Sequence, residues 1–173
     1  GSIVHNSVKP QMIFQDPYSS LNPAWTIRRI LSEPLLLSGI KNREDVDRHV
    51  IEMLGRVGLD ESYAGRHPSQ LSGGQRQRVS IAAALIARPK LVIADEPLSA
   101  LDVTIQAQIM ELLLELKREL NLTYIFISHD IDVVYQLCDR IMVMKEGHVV
   151  ETGETKELFE HPKDAYTRQL IDA

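Results

Sequence analysis

Several things are scarce or missing in this chain of 173 residues. There is one cysteine, Cys138, so no internal disulfide can close. It lies in an apolar helical pattern and reads as a packed thiol in a reducing compartment. No uninterrupted apolar run approaches the roughly eighteen residues of a membrane span, and no signal-peptide pattern opens the chain, so membrane association is expected through a partner. There is no basic tract: 19 Lys and Arg stand against 24 Asp and Glu, a net charge of −5, which gives no support for nucleic acid as the main ligand. His5, His49, His67, His148 and His161 show no metal-ligand spacing and read as surface residues. Repeats and low-complexity segments are absent. The absence with the largest consequence is that of any G-x-x-x-x-G-K-[ST], the loop that cradles nucleotide phosphates.

What is present is an ordinary globular composition, 44% hydrophobic and 25% charged, at a length suited to one domain that buries about 70% of its unfolded surface. Gly1-Ser2 reads as an expression scar. The chain is organised around residues 69 to 102, SQLSGGQRQRVSIAAALIARPKLVIADEPLSALD. Ser72 is a good helix N-cap, and Gly73 and Gly74 leave backbone N–H groups uncovered at the positive end of the following helix, an end that attracts phosphate. Leu91 to Ala94 is short, aliphatic and bounded by turn signals, as a fully buried strand is, and its end presents Asp95 and Glu96.

In chain order, Pro10 to Phe14 reads as a strand leading to Gln15, and a stretch dense in turn formers follows to Pro23. Helices are expected from Thr26 and over about Arg43 to Val57, where Val46, Val50, Met53, Leu54 and Val57 recur at helical spacing. With the helix after Gly74 they form an all-helical lobe. Asp102 caps a long helix ended by Asn121, and Tyr124 to Ile127 is the next buried strand, with His129 at its carboxyl end. Ile131 to Leu137 forms a short helix. Two strands, Ile141 to Met144 and His148 to Glu151, flank a tight turn at Lys145-Glu146-Gly147. The tail carries two short helices around Pro162. The alternation of strands and helices gives an α/β fold.

LSGGQ at Leu71 to Gln75, LVIADE at Leu91 to Glu96 and SALD at Ser99 to Asp102 resemble, in this order, the signature motif, Walker B and D-loop of the ABC ATPases. Gln15 in MIFQDP is similar to the Q-loop and His129 in IFISHD to the switch histidine. The resemblance implies a partial RecA-like P-loop ATPase core with a mostly parallel sheet and an inserted all-helical subdomain. Its parts are residues 1–25 (core strand and Q-loop), 26–88 (helical signature subdomain), 89–151 (core with Walker B, D-loop and switch histidine) and 152–173 (C-terminal helical tail). It also implies ATP and Mg2+ as cofactors, with Asp95 and Gln15 directing the metal, Glu96 orienting or deprotonating the attacking water, and His129 contacting the γ-phosphate. Leu71, Ser72, Gly73, Gly74, Gln75 and Asp102 would face the nucleotide of a second ABC ATPase chain, in a homo- or heterodimer. The plain alternatives are a strand-end acid pair facing solvent, a structural histidine and an ordinary helix cap.

FQDPYSSLNP, IADEPLSALDV and AYTRQLI look like the subfamily that drives uptake of di- and oligopeptides, with nickel importers close behind. The expected protein is a cytoplasmic ATPase subunit, peripheral on the inner face of the cell membrane, bound to membrane permease subunits through Tyr18 to Leu21 and not to nucleic acid. The rivals are a soluble ABC ATPase of DNA repair or translation, which needs a basic groove or coiled-coil insertion, and a non-catalytic interaction module.

Two departures from the family stand out. Ala83 occupies a position commonly held by arginine. The phosphate loop, its strand and the adenine-stacking aromatic lie upstream in the family, and only fourteen residues precede Gln15 here. Losing about four charge-assisted bonds removes roughly 6 to 12 kcal/mol, against about 8 kcal/mol for micromolar binding. This chain alone is therefore expected neither to bind ATP well nor to hydrolyse it. Its core sheet is expected to have unpaired edges, and to be rearranged, covered by another chain or swapped.

Overall fold

A computed structural model describes residues 9–172. The expectations for Gly1-Ser2, His5, Ala173 and the side chain of Tyr18 lie outside the described residues. The chain divides into two compact units, one running to Ile127 and one starting at Ser128.

The first unit is built on a parallel sheet of three strands, β1 (Gln11–Ile13), β2 (Leu91–Asp95) and β3 (Thr123–Ile127), in the order β1-β2-β3. Met12, Ile93 and Ile125 stand in register across it, as do Ile13, Ala94 and Phe126. Parallel connections need crossovers, and the sequence supplies both. The first is a helical insertion of α1 (Pro17–Ser20), α2 (Ile27–Leu37), α3 (Arg43–Arg56), two short 3₁₀ turns and α4 (Gly73–Leu85); the second is the long α5 (Val103–Leu120).

Capping fixes where these helices begin. Thr26 Oγ1 accepts the Arg29 N–H, Asn42 accepts those of Glu44 and Asp45, and Asp102 accepts that of Ile105. Asn121 ends α5 in the left-handed conformation at φ 50, which asparagine tolerates better than most residues. The buried stripes then meet: Ile27, Leu31 and Leu35 of α2, Val50 and Leu54 of α3, Ile81 and Leu85 of α4, and Ile109, Leu113 and Leu116 of α5 are all essentially inaccessible. Burying each such side chain is worth about 1.5–3 kcal/mol.

The strands differ from expectation. β2 and β3 read as fully buried, yet only one face is covered: Ile13, Val92 and Ala94 are at 0% exposure, while Ile125 and Ile127 are 49% and 48% exposed. Met12, Ile125 and Ile127, with Phe14 just past β1, leave the opposite face apolar and open among the described residues. Successive side chains of a strand point to opposite faces, so an unbroken apolar run is what a sheet covered on both sides calls for.

The second unit holds α6 (Ile131–Leu137), a two-stranded antiparallel sheet of β4 (Arg140–Lys145) and β5 (His148–Glu154), α7 (Thr155–Glu160) and α8 (Ala165–Ile171). Lys145 pairs with His148, so the hairpin loop is Glu146-Gly147, both at positive φ, a type I′ turn whose twist suits the strands. The Glu151 carboxylate accepts the N–H groups of Lys163 at 2.9 Å and Asp164 at 3.0 Å, tying the α7–α8 connection to β5. No helix among the described residues is long and apolar enough to cross a membrane.

Candidate functional site

Three of the predicted residues come together at the carboxyl ends of β1 and β2, the edge at which parallel α/β sheets bind ligands. Asp95 is the last residue of β2, Glu96 follows it, and Gln15 lies two residues beyond β1. Gln15 Nε2 donates to Glu96 Oε2 at 3.1 Å. That bond uses the donor end of the amide and leaves its oxygen as an acceptor of the hard kind magnesium prefers.

The backbone at Glu96 is held in a strained form. Its φ is 44, a left-handed conformation that costs a residue with a side chain about 1–3 kcal/mol. Its N–H donates to Ile127 O at 2.9 Å, so the end of β3 fixes the turn. Its carbonyl accepts from Ser99 N at 3.3 Å and Ser99 Oγ at 3.1 Å. The result is an acid aimed by the sheet and the following turn rather than by a flexible loop.

Ser72 caps α4 as the sequence predicted: its Oγ accepts the Gln75 N–H at 3.3 Å while Gln75 Oε1 accepts the Ser72 N–H at 2.9 Å. Gln75 Nε2 also donates to the Tyr63 hydroxyl at 2.9 Å, so this side chain is committed to the lobe. Leu71 is buried at 4% exposure and its side chain belongs to the core. The donors left over by helix geometry are the first-turn N–H groups of Gly73 and Gly74. A methyl on Gly74 stands 2.8 Å from Ile105 Cγ2, so the start of α4 approaches α5 this closely only because that residue is glycine.

Asp102 is exposed and accepts the Ile105 N–H at 3.0 Å, so its carboxylate is the cap of α5. His129 is exposed in the second unit, between Ser128, whose Oγ accepts the Asp130 N–H, and Asp130, which caps α6. His49 and His67 are half-buried rather than on the surface, and His49 Nδ1 lies 2.6 Å from Asp45 O.

Among the described residues no group of three or more His, Cys, Asp or Glu could hold a metal by itself. Asp95 and the Gln15 amide oxygen are instead a sparse, all-oxygen donor set. Such a set fits Mg2+, which keeps several waters and is shared with substrate phosphates.

Sequence reasoning missed two side chains at this site. Gln77 Nε2 donates to Pro97 O at 2.8 Å and Gln106 Nε2 to Leu98 O at 3.0 Å, clamping successive carbonyls beyond Glu96. The available signal was a glutamine on the buried face of α4, one helical turn before Ile81 and among Ser80 and Ala84.

A family model described as ABC transporter matches residues 2–99. The oligopeptide transport ATP-binding protein AppF of Bacillus subtilis is 50% identical over 163 residues, 94% of this chain and 50% of that protein. CbiO1 from Clostridium perfringens, part of the ABC transporter complex CbiONQ, superposes with a TM-score of 0.77 at 38% identity, covering 88% of this chain and 59% of that one. A dimeric post-hydrolysis structure of the ATP-binding cassette MJ0796, bound to ADP and Pi, gives 0.73 at 35% identity, covering 86% and 63%. The chain spans about half the length of most curated relatives it matches, and 26% of one, a glutathione import ATP-binding protein from Pectobacterium atrosepticum.

Proposed function

The chain belongs to the ABC transporter family of ATP-binding proteins, and on that premise we propose that it is the ATP-binding and hydrolysing part of an importer that powers peptide uptake. The observation that carries the reading is the Gln15–Glu96 hydrogen bond, which joins two of the matched motifs at one sheet edge. Relatives at about half identity named as oligopeptide and dipeptide transport ATP-binding proteins support the solute class.

Asp95, through water, and Gln15 would hold Mg2+, which would supply charge neutralisation for the transferring phosphoryl group. Glu96 orients or deprotonates the attacking water and His129 contacts the γ-phosphate. Gly73 and Gly74, behind the Ser72 cap, offer N–H donors to a nucleotide held by a second chain, with Asp102 at the same interface. Two such chains work on the cytoplasmic side against permease subunits, contacted through the segment after Gln15. Since the 173 residues contain no G-x-x-x-x-G-K-[ST], we further propose that by themselves they bind ATP weakly and turn over none.

The test is nucleotide titration of the purified chain with and without Mg2+, followed by capture with permease subunits of a peptide importer. Weak binding, no turnover and capture are expected. Magnesium-dependent turnover by the chain alone overturns the proposed inactivity, and failure of every such permease to capture it overturns the importer assignment.

A further inference from the structure

Gln77 lies one turn into α4, 1% exposed, with its amide donating to the carbonyl of Pro97, the residue after Glu96. Its Oε1 is buried with no hydrogen-bond partner among the described residues. A methionine of like volume would fill the same space without an orphaned acceptor, so packing alone does not account for an amide here. Proline has no N–H, which makes its carbonyl the sole backbone hydrogen-bonding handle on that residue. The neighbouring carbonyls are held too, that of Glu96 by Ser99 and that of Leu98 by Gln106 of α5. The strained φ of Glu96 thus sits above a turn gripped from two helices.

We propose that Gln77 is a positioning residue that locks the signature helix to the turn beneath Glu96, so that the acid is aimed only while α4 is seated. A displacement of the helix start, where Gly73 and Gly74 present their donors, reaches Glu96 through one buried hydrogen bond. The proposal rests on the reading of Glu96 as the water-orienting acid.

The experiment is amide hydrogen exchange on the whole 173-residue chain, comparing Gln77→Met and Gln77→Glu with the unsubstituted protein at the same pH. Gln77→Met is expected to speed exchange at Ser99 and Leu101, whose N–H groups bond within this turn, about five- to ten-fold, while Ile109 and Leu113 stay unchanged. Gln77→Glu donates to Pro97 O only when protonated, so it matches the unsubstituted protein at pH 5 and Gln77→Met at pH 8, as a buried carboxyl with a raised pKa should. A glutamine whose amide donor does not hold this turn gives no such pH switch. Unchanged exchange at the turn, or a uniform rise across the first unit, overturns the proposal.

In the complete ATPase assembly containing this chain, Gln77→Met is expected to lower kcat about ten-fold with KM for ATP unchanged. Unaltered kcat alongside altered exchange overturns the aiming role. Lack of turnover by the unsubstituted assembly overturns the ATPase reading instead, and leaves the exchange result to judge the tie.

Discussion

Gln15 Nε2 and Glu96 Oε2 lie 3.1 Å apart although 81 residues separate them in the chain. β1 and β2 are parallel neighbours, with Ile13 beside Ala94, so the residues just past their ends emerge side by side. Whatever moves the segment after β1 therefore bears on the Glu96 carboxylate.

Breaking this bond should separate activity from stability. Gln15→Leu removes an exposed hydrogen bond and is expected to shift unfolding free energy by less than about 1 kcal/mol. On the roles proposed for Gln15 and Glu96, it is expected to lower ATP turnover of the complete assembly at least ten-fold, because the acid would lose its orienting bond and the magnesium an oxygen donor. Denaturant melts and steady-state turnover on one preparation check it, and normal turnover would falsify the role.

Gly74→Ala sets a small helix-propensity gain of up to about 1 kcal/mol against overpacking of about 1–3 kcal/mol, since the new methyl meets the stiff β-branched Ile105 at 2.8 Å. A net loss is expected, and Ile105→Ala in the same chain should recover part of it. A double-mutant cycle measures the coupling, and zero coupling would remove the close approach as the reason for this glycine.

Ser72→Ala deletes the Oγ half of the capping box and should cost about 1 kcal/mol. Ser72→Asp, which keeps a capping oxygen, should restore most of it. Thermal melts of the three proteins decide the point, and equal loss in both variants would show that the hydroxyl serves something other than the cap.

Glu151 predicts a pH dependence. Backbone N–H bonds from Lys163 and Asp164 hold its carboxyl below the ordinary 4.5. A carboxyl whose folded pKa is depressed contributes stability that is present above its unfolded value and lost as pH falls through the folded one. Glu151→Gln should therefore be less stable than the unsubstituted protein at pH 7, and the gap should narrow as pH falls below 4.5 through the depressed folded value. Urea melts at pH 7 and pH 3 test this, and a gap no narrower at pH 3 than at pH 7 contradicts the mechanism.

The parts legible in the sequence are those governed by near neighbours. Thr26, Asn42, Ser72 and Asp102 each cap a helix because a short side chain meets N–H groups two or three residues on. Glu146-Gly147 makes its turn for an equally local reason. The type of each strand was likewise readable, but its burial was not. Ile125 and Ile127 look like core residues in any reading of the string, yet stand about half exposed because exposure is set by what packs on a face and not by the strand itself.

Gln77 shows the same limit at the site. Nothing near it in sequence hints that its amide reaches Pro97, twenty residues away, because the bond exists only once α4 lies against the turn after β2. The sequence by itself determined the family, through five motifs in order, and the ends of the helices, since both depend on residue types at short spacing. The tertiary structure alone decided that Gln15 meets Glu96, that Gly74 must make room for Ile105 and that two glutamines grip the turn between them. Those contacts depend on chain segments brought together by burial, a non-directional force that leaves no local spacing rule from which to read the pairings.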